Sequence, residues 1–106
     1  MDHIASVLSF NTSVTSHEVT CVQFSASWCQ PCKRVRPLMD LLVENNPGIN
    51  FLYVDVDTMG TLADHYKVDS VPCFIGVHKN ANICSRLTGS DENKIREFVR
   101  QLAVSR

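Results

Sequence analysis

The stretch Trp28-Cys29-Gln30-Pro31-Cys32-Lys33 constrains this chain more than any other. It follows an apolar run, residues 19–26, that reads as a buried strand, and it opens a run that reads as a helix over about residues 30–45. Two cysteines two residues apart at a strand-to-helix junction read as a redox pair. The N–H groups left unpaired at a helix start, together with the helix dipole, favour a thiolate there. The competing reading is a metal knuckle. Cys73, Cys84, His65 and His78 are numerous enough to complete one, but they show no second paired spacing. A proline between the cysteines, in the first helical turn, fits the redox reading better.

The chain of 106 residues accommodates one domain, residues 1–106, with one core. Ten basic and eleven acidic residues leave a formal charge of −1, which argues against a nucleic-acid or membrane-surface protein. No apolar run reaches the length of a membrane span, and the first residues lack the pattern of a secretory signal. Five cysteines leave at least one unpaired within the chain, and their spacing is not that of a secreted disulfide framework. A reducing compartment, the cytoplasm or the mitochondrial matrix, is the expectation; a cleaved organellar presequence leaves no trace in the sequence.

Residues 3–18 are the least legible. Val7, Phe10 and Val14 have helical spacing with Ser6 as cap, against the weak helix propensity of Thr12 and Thr15, and Ile4-Ala5 ends a very short strand. Val19 to Phe24 is mostly apolar and rich in β-formers, the pattern of a strand buried on both faces. Val35, Leu38, Met39, Leu41 and Leu42 then mark a broad helical face that Pro37 should kink. Residues 49–56 read as a second central strand. Asp57 or Thr58 caps a helix whose face is Met59, Leu62, Ala63 and Tyr66. Cys73 to His78 reads as a strand, residues 79–82 as a hairpin turn, and residues 83–87 as the returning strand. Ser90 caps a last helix with Ile95, Phe98, Val99 and Leu102 on one face and Glu92–Arg96 as an ion pair. The order (β)αβαβαββα predicts an α/β fold: a mixed sheet of four to five strands, helices on both faces, early strands parallel and the last two antiparallel.

At this point the chain resembles the thioredoxin family. The likeness rests on residues 28–33, on Pro37 five residues after Cys32, on Phe51-Leu52-Tyr53-Val54-Asp55-Val56-Asp57, on Val71-Pro72 and on Gly89, in that order and separation. It implies the thioredoxin fold and a monomer without bound cofactor or metal. It also implies a cis Val71-Pro72 bond packed against the cysteines, with Val71 offering backbone groups to an extended substrate segment. Trp28, Gln30, Pro31, Val71, Pro72 and Gly89 would line the substrate surface. Cys29 would be the exposed nucleophile and Cys32 the shielded resolving thiol, with Lys33, Arg34 and Arg36 adding positive potential.

The chain departs from the family pattern in several places. Gln23 stands where most thioredoxins carry a buried aspartate, six residues before the first cysteine. A carboxamide cannot accept the resolving thiol's proton, and removing a buried anion should ease thiolate formation. A slower resolving step, a lower cysteine pKa and a more oxidising couple are expected, with Gln23 and Lys33 as the tuning residues. Gln30 replaces the usual glycine between the cysteines and alters the rim. Ala81 replaces a usual hairpin glycine, which shifts any positive φ to Asn80 or Asn82. Cys73 replaces a common threonine and, like Cys21, reads as a small buried strand residue; Cys84 reads as exposed on an edge strand.

The function implied is a protein-disulfide reductase working through the Cys29/Cys32 couple, with electrons from a flavoprotein reductase or a low-molecular-weight dithiol. The rival from another class is a redox-gated binding or holdase module using the apolar surface around Trp28, Val71 and Pro72.

Overall fold

The structure, a computed structural model, describes residues 1–79 and 84–105. Five strands form one mixed sheet in the order β1-β3-β2-β4-β5: β1 (Asp2–His3), β2 (Val19–Ser25), β3 (Asn50–Asp55), β4 (Cys73–His78) and β5 (Cys84–Thr88). β1 and β2 flank β3 in parallel, while β4 runs antiparallel to both β2 and β5. The expected turn at residues 80–83 lies outside the described residues, and so does the assignment of positive φ to Asn80 or Asn82. Among the described residues no helix is long and apolar enough to cross a membrane.

All seven residues of β2 are buried, as a strand covered on both faces requires. Side chains alternate with period two, so Val19 and Cys21 join one core layer and Val22 and Phe24 the other. The first layer packs under α3 (Arg36–Asn45) and α5 (Glu92–Val104), through Leu38, Met39 and Leu42 and through Ile95, Val99 and Leu102. The second packs under α1 (Val7–Ser16) and α4 (Gly60–His65), through Phe10, Leu62 and Ala63.

α1 forms where its apolar spacing predicts, and the Ser6 hydroxyl accepts from the Ser9 N–H at 3.0 Å. Thr15 is accommodated by donating its own hydroxyl to the Asn11 carbonyl. The preceding strand sits slightly earlier than expected, at Asp2–His3, with the Ile4 N–H closing on the Tyr53 carbonyl at 2.9 Å.

Four expectations are corrected. The helix over residues 30–45 is two helices, α2 (Gln30–Arg34) and α3, separated at Val35; Pro37 sits in the first turn of α3, where its missing N–H is harmless, instead of kinking one long helix. α4 has Met59 at its N-cap with no side-chain bond, because the Asp57 carboxylate is engaged elsewhere. Asp91, not Ser90, caps α5, its carboxylate accepting from the Lys94 N–H at 3.1 Å. The ion pair on α5 joins Glu97 to Arg100 at 2.6 Å, and Glu92–Arg96 makes none.

Phe10 is the buried anchor of α1, 2% exposed, with its ring edge-on to Tyr66. Phe10→Ala is expected to cost about 3–5 kcal/mol in a denaturant titration. Leu8→Ala on the same helix, at a side chain 76% exposed, is expected to stay within about 0.5 kcal/mol.

The cysteines outside the pair follow their burial. Cys21 and Cys73 are buried and Cys84 is exposed. Burial pushes the Cys21 thiol up to about 12. Above the ordinary thiol range the unfolded chain therefore loses a proton that the folded chain keeps, so stability should fall as pH rises towards 12. Cys21→Ala should flatten that fall in pH-dependent denaturation. In the oxidised native protein, a thiol reagent should label Cys84 first, with Cys21 and Cys73 reacting only on unfolding.

Candidate redox site

The site is assembled where β2 ends and α2 begins. Cys29 occupies the N-cap of α2 in extended conformation, and its Sγ accepts the Cys32 N–H at 3.2 Å. Pro31 follows in the first turn, where it withholds no bond the helix needs. The two sulfurs are joined as a disulfide across that turn, with Cα atoms 5.3 Å apart. Among the described residues no group of three or more His, Cys, Asp or Glu is placed to hold a metal ion.

In this disulfide the expected contrast between an exposed and a shielded sulfur is absent at the residue level: Cys29 is 4% and Cys32 5% exposed. The contrast lies in what each residue meets. Cys29 Sγ lies 3.7 Å from the Val71 carbonyl oxygen, on the side of the Val71-Pro72 segment. Cys32 instead lines a cavity of about 300 Å³ that neither Cys29 nor Val71 lines. Ala26, Val56 and Val71 pack around the pair.

The Val71-Pro72 bond is cis, as the resemblance implies. Pro72 is buried at the start of β4, and its carbonyl accepts the Gly89 N–H at 2.9 Å. Gly89 has φ 117°, a conformation that side chains rarely adopt, so glycine is required where the chain leaves β5 beside Pro72. Gly89, Val71 and Cys29 are thereby brought to one end of the sheet. Gln30 and Lys33 are exposed at the rim and Pro31 is half-buried.

Trp28 is 65% exposed, and its indole Nε1 donates to Asp57 Oδ2 at 2.9 Å. The sequence reading treated Asp57 only as a helix cap and missed this role. The available signal was position: Asp57 follows β3, which pairs in parallel with β2, so both strands deliver their following residues to the same end of the sheet.

Gln23 is 3% exposed and lies on the face of β2 that looks towards Cys32 and Met39. It shares the cavity with Ser25, Lys33, Arg36, Asp40, Tyr53 and His3. No hydrogen bond joins its carboxamide to another described residue, and no fully enclosed side-chain polar atom among them is left without a partner, so the carboxamide reaches the cavity surface. Cys73 is not part of this arrangement. Its Sγ receives Thr88 Oγ1 at 3.8 Å and an Arg86 guanidinium N–H at 3.7 Å.

The geometry can be set beside known proteins. A thioredoxin from Ophiophagus hannah is 34% identical over 80 residues, covering 76% of this chain and 75% of that protein. An H-type thioredoxin from Ricinus communis is 33% identical over 74% of this chain and 65% of that protein. The X-ray structure of Fasciola hepatica thioredoxin superposes with a TM-score of 0.89 at 27% identity, over 96% of this chain and 99% of that one. A family model described as Thioredoxin matches residues 3–101, and with that match the chain belongs to the thioredoxin family.

Proposed function

We propose that this chain is a thiol–disulfide oxidoreductase acting on protein disulfides, with Cys29 as nucleophile and Cys32 as resolving thiol. The observation that carries the reading is the disulfide across the first turn of α2, with Cys29 at the N-cap and its sulfur facing the Val71 carbonyl. Once the pair is reduced, the N–H of Cys32 favours a thiolate at Cys29. That thiolate attacks one sulfur of a target disulfide, and the other target sulfur leaves as a thiolate. Cys32 then attacks Cys29 Sγ, the target is released reduced, and the protein disulfide closes. A flavoprotein reductase or a low-molecular-weight dithiol returns two electrons.

The target lies in extended form along Val71 and Pro72, with Trp28, Gln30, Pro31 and Gly89 around it. The Trp28–Asp57 bond holds the indole at the rim. Gln23 makes the resolving step slower and the couple more oxidising than an aspartate would, because the site behind Cys32 lacks a buried base and a buried negative charge. The compartment that suits three free thiols, one of them exposed, is a reducing one. Redox-gated client binding is the second reading, and the large exposed indole beside half-buried Val71 is the feature that favours it.

Insulin reduction with a supplied dithiol tests the first reading, and light scattering of a denatured client tests the second. Turnover should be measurable in the parent chain and lost in Cys29→Ser. Cys32→Ser should accumulate a mixed disulfide with insulin, visible by mass on non-reducing gels. Client protection without turnover would reverse the assignment.

A further inference from the structure

The proposed reaction leaves one proton without a destination. Cys32 must lose it before attacking Cys29, and the Gln23 carboxamide does not take it. The cavity of about 300 Å³ touches Cys32 and not Cys29, so it serves the resolving sulfur selectively. Gln23, 3% exposed, turns its carboxamide into it. An amide that makes no bond to protein and reaches a cavity surface is satisfied by water there, and each water needs about 30 Å³. The cavity has room for several.

Strand register carries this cavity across the sheet. Gln23 on β2 stands opposite Tyr53 on β3, and His3 on β1 stands opposite the same Tyr53. All three side chains line the cavity. Adjacent strands are about 4.8 Å apart, so His3 lies about 10 Å along the row from Gln23. The imidazole stacks on the Tyr53 ring, with centroids 4.6 Å apart and planes at 20°. His3 is exposed, so the row ends in bulk solvent.

We propose that His3 accepts the Cys32 proton, relayed by water along the cavity past Gln23 and Tyr53. Imidazole is the side chain that changes charge in the neutral range, which suits it to take a thiol proton there and return it to solvent. The other charged or titratable groups around the cavity are Lys33 on α2, Arg36 and Asp40 on α3, Tyr53 on β3 and the Met1 amino group. Lys33 and Arg36 favour the Cys32 thiolate, and Asp40 is the rival proton acceptor on the same cavity. In the step, the Cys32 S–H proton passes through water to His3. The sulfur's electron pair then forms the bond to Cys29 Sγ, the bond from Cys29 to the target sulfur breaks, and its pair leaves on the target thiolate. In this step the target sulfur is reduced, Cys32 is oxidised, Cys29 stays at the disulfide level, and the imidazolium releases its proton to solvent.

The inference rests on the oxidoreductase reading, and the test separates the two. Reduced protein is mixed with excess insulin in a stopped-flow instrument between pH 5 and 9, and the limiting first-order rate is followed by Trp28 fluorescence. The parent rate is expected to rise through the neutral range. His3→Gln should lose that rise and run at least about tenfold slower at pH 7. His3→Phe, which keeps a ring against Tyr53, should behave the same way. Gln23→Asp should restore the rate in the His3→Gln background, because a base then stands beside Cys32. Asp40→Asn should leave the parent profile in place. Parent-like profiles in both His3 variants, or loss of the rise in Asp40→Asn, would overturn the proton route while leaving the oxidoreductase reading intact. If the parent chain forms no mixed disulfide with insulin, the oxidoreductase reading itself fails.

Discussion

The site depends on the pairing of β2 along both of its edges. Its backbone is bonded to β3 on one side and to β4 on the other, and its side chains are buried on both faces. That leaves the strand no freedom to shift register, since a slip of one residue would exchange its two core layers. The consequences reach the chemistry directly. β2 ends just before Cys29 caps the next helix, β3 ends just before Asp57 meets Trp28, and β4 begins just after Pro72 and Val71. Three chain segments distant in sequence converge on two sulfurs because the strands before or after them are locked side by side.

The same strand creates the asymmetry behind the sulfurs. Alternation sends Val22 and Phe24 to the layer under α1 and α4, and sends Gln23 towards Met39 and Cys32. A carboxamide at that position keeps the site polar without giving it charge. The cavity beside it is bounded by cations on the helices and by a histidine and a tyrosine on the sheet, so the electrostatics of Cys32 are set by several elements at once. Cys29, facing a backbone carbonyl across the cleft, is governed by peptide geometry instead. The two cysteines therefore meet different surroundings, Cys29 the Val71 carbonyl and Cys32 the cavity.

Much of this was legible in the residues. The apolar run around Cys21 and Phe24 identified a central strand, the spacing of Val7, Phe10 and Val14 found α1, and the cysteine spacing located the redox pair. Caps were less legible, because Asp57 and Asp91 each compete with neighbours that also cap. Asp57 is claimed by an indole 29 positions away, a contact that local sequence does not encode. The cis bond at Val71-Pro72 came from family resemblance, since proline by itself favours trans. The row from His3 to Gln23 was invisible for a different reason. Its members are separated by 20 to 50 positions and meet only through the register of three strands, one of them two residues long.

The account stands or falls on Gln23 as the residue that sets this couple apart within its family. The reduction potential of the Cys29–Cys32 pair, obtained by equilibrating the protein in dithiol–disulfide buffers, measures this directly when the parent chain is compared with Gln23→Asp. The parent should have the higher, more oxidising potential, because the introduced carboxylate disfavours the thiolate of the reduced state. An equal or lower potential in the parent would show that Gln23 does not tune the site.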